Sequence, residues 1–173
     1  MTTITPFLWF DDNLEEALTF YATIFDDMMV MDSSRTGPAP SDPLFSARFR
    51  IHGQDLLAIN GGPLFPFTEA ISMFVSVDGQ AEVDRLWDGL TDGGEPSQCG
   101  WLKDRFGLSW QIVPGRLMEL LADPDPGRAT RARNAMLAMS RIEIAALEAA
   151  ADDVAERPTP PELSMRPERA EPQ

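Results

Sequence analysis

The sequence predicts an α+β fold in which paired βαβββ modules form a curved mixed sheet around a cleft, followed by C-terminal helices. Two observations carry this. Residues 4–20 and 71–87 overlay without a gap, matching at Ile4/Ile71, Phe7/Phe74, Asp11/Asp78 and Glu15/Glu82. Each reads as a short apolar strand, a polar turn and an amphipathic helix. Each is then followed by an alternating segment that turns at a glycine, Gly53 in one and Gly107 in the other, as a hairpin does. Module one is expected over residues 1–62 and module two over 68–115, together one domain of 1–115. A helical extension follows at 116–153, and 154–173, rich in proline and charge, is expected to be disordered.

Taken in order, residues 4–10 are apolar and aromatic-rich, as expected of a buried strand. Asn13 precedes Glu16 by three residues, a cap with its reciprocal acid. Leu14, Ala17, Leu18, Tyr21, Ile24 and Phe25 then recur at helical spacing. Residues 32–43, with their Ser, Gly and Pro, read as a long loop. In 46–51 the alternation sets Ala47, Phe49 and Ile51 against Arg48 and Arg50. A turn at His52-Gly53 brings Asp55 opposite Arg50 and Leu57 opposite Arg48. In module two, Val83, Leu86, Trp87 and Leu90 form the helix stripe, and Gly93-Gly94 ends it. The turn at 104–107 is expected to set Trp101 opposite Trp110 as a core pair near Trp87. Residues 117–121, 127–139 and 141–153 read as helices, with Ser140 capping the last.

Of 173 residues, 43% are hydrophobic and 24% charged, ordinary for a globular domain. The formal net charge of −14 repels phosphate backbones and anionic membranes, so neither nucleic acid nor membrane is an expected partner. Cys99 is the only cysteine, so no intrachain disulfide forms. With no secretory leader pattern and no apolar run of spanning length, a cytoplasmic location is expected.

Thr5–Asp11, Glu15–Tyr21, Asn60-Gly-Gly-Pro63, Glu69–Ser72 and above all Gln98–Pro114 resemble the PhnB-like branch of the vicinal-oxygen-chelate superfamily. That group includes glyoxalase I and the bleomycin-resistance proteins, and the branch is often labelled demethylubiquinone methyltransferase-like. The resemblance runs from about Ile4 to Leu147. It implies that metal enzymes of the superfamily hold an ion between the first and last strands of each module. Counted from the helix motif and the hairpin turns, those positions fall on Pro6, Leu57, Met73 and Gln111. Proline and leucine offer no ligand, methionine a thioether and glutamine a neutral carbonyl, whereas a divalent ion needs several His or carboxylate groups. No metal and no cofactor are therefore expected. No glycine-rich turn for a nucleotide-type methyl donor follows the first strand, and Gly61-Gly62 precedes a proline.

By the same counting, Leu8, Arg48, Leu57, Met73, Leu102, Ser109 and Gln111 are the candidates for the cleft. Phe7, Trp9, Phe49, Trp101 and Trp110 are expected to face the helices. The expectation is an apolar cleft in which Arg48, Ser109 and Gln111 are the polar groups, suited to a small, partly aromatic ligand with an anionic or carbonyl group. His52 reads as a turn residue, Cys99 as a bystander thiol, and Asp11, Asp12, Glu15 and Glu16 as a charged helix start. Three readings follow. One is a homodimeric small-molecule binder without the standard metal ligands. Another is an enzyme (a lyase, isomerase or transferase) working without metal or with an atypical one. The third is a structural or interaction homodimer.

Overall fold

The computed structural model describes residues 2–153; the expected disordered tail lies outside the described residues. The chain runs β1 (Phe7–Phe10), α1 (Leu14–Ile24), β2 (Met29–Arg35), β3 (Leu44–Ile51), β4 (Gln54–Asn60), then β5 (Met73–Val77), α2 (Gln80–Thr91), β6 (Glu95–Pro96), β7 (Trp101–Lys103) and β8 (Ser109–Pro114). Helices α3 (Gly115–Leu121), α4 (Pro126–Leu137) and α5 (Ile144–Asp152) follow. The fold is α+β, and its strands form two four-stranded mixed sheets, ordered β1-β4-β3-β2 and β5-β8-β7-β6. In each, the first strand pairs parallel with the last and the others pair antiparallel. The repeated sequence plan is thus a repeated strand order.

Each sheet has an inner face, which meets the helices, and an outer face. Inner positions Leu8, Phe10, Ala47, Phe49, Leu56 and Ala58 join Leu102, Trp110 and Ile112 and the stripes of α1 and α2 in a single core. That core spans both modules. A carboxylate stands inside it. Asp104 Oδ2 accepts from Tyr21 Oη at 2.7 Å and Trp110 Nε1 at 2.8 Å, while Oδ1 accepts from the backbone N–H of Phe106 and Leu108. Four donors offset the cost of burying the charge, and Tyr21 ties α1 to the β7–β8 loop.

Several local expectations are corrected. Residues 32–35 belong to β2, an exposed edge strand paired with β3, and so are not loop. Their polar sequence suits an edge open to water. Asn13 makes no capping bond; the first free N–H of α1, at Leu14, is taken by Asn60 Oδ1 at 2.9 Å. Ser140 likewise does not cap α5, whose Ile144 N–H goes to Gln80 Oε1 at 2.8 Å. In both cases the cap comes from a residue remote in sequence, which spacing rules do not see. Trp101 stands opposite Gln111, and Trp110 opposite Leu102. Five residues separate β7 from β8, one more than the assumed pairing needs, because Asp104 Oδ1 gathers the loop around two of its amides. Trp110 packs on Phe25 and Tyr21, and Trp101 lies on the outer face.

The extension has its own core, in which Leu117, Leu120, Ala132, Ile142, Leu147 and Ala151 gather around Val113. The β6–β7 turn holds it through Cys99 N–H to Met139 O and Gly100 N–H to Ser140 O, both at 2.8 Å.

Candidate functional site

Between the modules lies a cleft of about 850 Å³. Every residue from Ile71 to Asp78 lines it, so it follows the unpaired edge of β5. Pro6 and Leu8 come from β1 and the segment before it, Phe25 from the end of α1, Ile51, His52 and Gln54 from the β3–β4 turn, and Glu82 and Leu86 from α2. Leu108 and Trp110 complete an apolar floor. The polar groups stand at the rim.

The seven sequence candidates do not converge. Leu8 and Met73 line the cleft. Leu102 is buried in the core beneath Trp110. Arg48 and Leu57 share the outer face of the first sheet with Phe7, because the register pairs Phe7 with Leu57 and Leu57 with Arg48. Gln111 and Ser109 lie on the outer face of the second sheet, where Phe74 stands beside Gln111. Alternation along each strand was read correctly. What failed was the offset between strands, which in a sheet moves every side chain to the opposite face. Phe7 and Trp9, expected to face the helices, accordingly face outward, as does Phe74; Phe7 and Phe74 are 58% and 54% exposed.

The expected anion partner also changes character. Arg48 Nη2 and Arg50 Nε both bind the Asp55 carboxylate at 2.5 Å, which confirms the Arg50–Asp55 pairing. The Arg50 and Arg48 guanidiniums hold the Asp55 carboxyl down at about 2. Gln111 donates to Ser72 Oγ at 2.8 Å. Ser109 Oγ is buried without a hydrogen-bond partner among the described residues and borders a recess of about 130 Å³ with Lys103 and Glu69. Those two form an ion pair of 2.5 Å.

His52 lies in the β3–β4 turn, as read from the sequence. It stands at the cleft rim, its ring edge-on to Phe25 with centroids 5.5 Å apart. Asp27 Oδ1 accepts from its backbone N–H at 3.2 Å and lies 3.1 Å from its Nδ1. The hairpin turn announced its position but nothing in the spacing announced Asp27.

A metal of the kind held by the superfamily's enzymes does not fit. With the observed register, the paired first- and last-strand positions are Phe7 with Leu57 and Phe74 with Gln111; the alternatives Pro6 and Met73 add no hard ligand. Among the described residues no group of three or more His, Cys, Asp or Glu is placed to hold an ion. Asn60-Gly-Gly-Pro63 is a packing device: a Cβ on Gly61 would stand 2.2 Å from the Trp9 ring, and Trp9 Nε1 donates to Gly62 O at 2.9 Å. It is not a cradle for a nucleotide-type methyl donor.

The strand–helix–three-strand unit written twice, with this glycine pair and the Asp104 loop, can be set beside known proteins. Residues 2–113 match the family described as 3-demethylubiquinone-9 3-methyltransferase. The chain belongs to that family. A protein of Bacillus cereus described as a putative 3-demethylubiquinone-9 3-methyltransferase, PhnB protein, is 30% identical; the match covers 66% of this chain and all of that one, with a TM-score of 0.59. A Pseudomonas aeruginosa protein is 25% identical over 66% of this chain and 98% of its own, at 0.53. The fosfomycin resistance protein FosX of Listeria monocytogenes, in a structure with Mn(II) and sulfate, is 18% identical over 70% and 97%, at 0.50, and shares the fold. No curated protein matches. The family match stops at residue 113, so the part of the resemblance expected to run on to Leu147 is not covered by it.

Proposed function

We propose that the protein binds a small organic molecule in the cleft between its modules, without the superfamily's usual metal. The observation that carries this is the cleft itself. Its volume is in the range of small-molecule sites, and its floor of Leu8, Phe25, Met73, Leu108 and Trp110 is apolar beneath a polar rim. Such a floor takes up an aromatic or aliphatic body, and the rim groups orient it. Among the described residues no helix is long and apolar enough to cross a membrane, and a cytoplasmic setting belongs to this reading. The test is native mass spectrometry of the purified protein. A small molecule should be retained, and Met73→Trp, which fills the floor, should release it. A protein that holds nothing, or a variant that still holds the molecule, would overturn the reading.

A second reading, a homodimer, is favoured by one observation. Phe7 and Phe74 occupy matching places in the repeat, and both are more than half exposed on the outer faces, as is Met29. Large apolar side chains grouped on a sheet face support association. Sedimentation at micromolar concentration should show a dimer, and Phe74→Arg should yield a monomer of unchanged helix content.

A further inference from the structure

The inter-module cleft carries a polar group that the reading above does not use. Asp27 Oδ1 accepts a hydrogen bond from the backbone N–H of His52 and lies 3.1 Å from its Nδ1. That contact turns the Nδ1 edge of the ring toward the carboxylate, and a neutral imidazole so oriented carries its N–H there. Nε2 is then an acceptor, and it has no partner among the described residues. Phe25 stands edge-on against the ring. The backbone at His52 has φ +45°, a left-handed conformation more readily taken by Asn or Gly in such a turn.

The rest of the rim sets the sign of the ligand. Among the described residues Asp78 and Glu82 line the cleft, and no Lys or Arg side chain does. Arg85 approaches from outside the lining and binds both oxygens of Glu82, at 2.9 and 2.7 Å, while also donating to Ile24 O. It neutralises part of one carboxylate and leaves Asp78. An anion would meet the carboxylates of the rim; a protonated amine would find them, and the neutral imidazole, as acceptors.

We infer that this cleft selects ligands with a proton-donating, cationic head group on an apolar or aromatic body, that is, aryl-alkyl amines, with the Asp27-oriented His52 as the acceptor that positions the amine. The inference rests on the cleft being a binding site. It departs from the anionic ligand expected from the sequence, because Arg48 lies on the outer face and is paired with Asp55.

Two probes of nearly equal shape and opposite charge, phenethylamine and phenylacetate, test it on the full-length protein. Binding is followed by ligand-observed NMR and by the Hε1 resonance of the single histidine, which needs no assignment. Phenethylamine should bind saturably, at least tenfold tighter than phenylacetate, and should shift that resonance. His52→Asn, which suits the left-handed turn and so preserves the fold, should weaken phenethylamine at least fivefold. Gln54→Lys, on the exposed rim, should weaken it while strengthening phenylacetate. Equal or tighter binding of phenylacetate, or no saturable binding of the amine, overturns the inference. If Met73→Trp abolishes amine binding but His52→Asn leaves it unchanged, the cleft stands as a site and the role of His52 falls. If Met73→Trp has no effect, the probe binds elsewhere and both fall.

Discussion

The two modules turn their last hairpins differently. In module one, His52-Gly53 is a two-residue turn, so Arg50 and Asp55 face each other across the strands and both point outward. In module two the loop holds five residues, the register moves by one, and the acid at its start, Asp104, points inward. Asp55 sits on the surface with two guanidiniums; Asp104 is 3% exposed with four neutral donors. Their titrations shift in opposite directions. The carboxyl of Asp55 lies below its ordinary value because of Arg50 and Arg48, whereas burial raises that of Asp104 in spite of its donors. One added residue in a turn thus decides whether a carboxylate works on the surface or inside the core.

The largest effect should come from breaking the inward hairpin. Asp104→Ala strands the Tyr21 hydroxyl and the Trp110 indole N–H in the core and should cost at least about 3 kcal/mol in urea unfolding. Because Tyr21 belongs to module one, its near-ultraviolet dichroism should change as well. Next comes the end of the outward hairpin. Asn60→Ala removes the Leu14 cap and the bond from its Nδ2 to Leu44 O, with an expected loss of about 1–2 kcal/mol. Smallest at neutral pH is Asp55→Asn, best seen through acidification. A depressed carboxyl contributes stability above its unfolded value of 3.8, and that contribution is lost as pH falls toward about 2. The variant should therefore lose less stability than the parent between pH 4 and pH 2. Asp104, with a raised carboxyl, contributes with the opposite slope: its share is present at low pH and lost as pH rises through its folded value. An Asp55→Asn profile as steep as the parent's would show that the surface pair does not set the acid limb.

What was legible in the sequence follows the range of the interactions. The strand–helix order, the stripes of α1 and α2, and the Arg50–Asp55 pairing depend on neighbours within a turn or a hairpin, and they stand in the structure. Asn13, Ser140 and the Trp101–Trp110 pair were read by the same local rules. They failed because Asn60, Gln80 and Asp104, each distant in sequence or committed to a buried network, satisfy those groups. The site suffered most. Its candidates rested on the relative offset of β1 to β4 and of β5 to β8, which is set by tertiary packing and moves whole sets of side chains between faces. Leu8 and Met73 line the cleft because they border the gap between modules. His52 and Asp27, 25 positions apart, meet only in the folded chain.

Val113 belongs to the outward alternation of β8, yet it is buried by the helices that follow it. Gln80 clips those helices to the start of α2, accepting from Ile144 N–H and donating to Ile142 O. The extension therefore shelters part of one outer face and leaves its counterpart in the other module open. A repeat alone would give an incoming surface two equivalent ways to dock. Among the described residues one of the two faces is partly roofed, so the two are no longer equivalent.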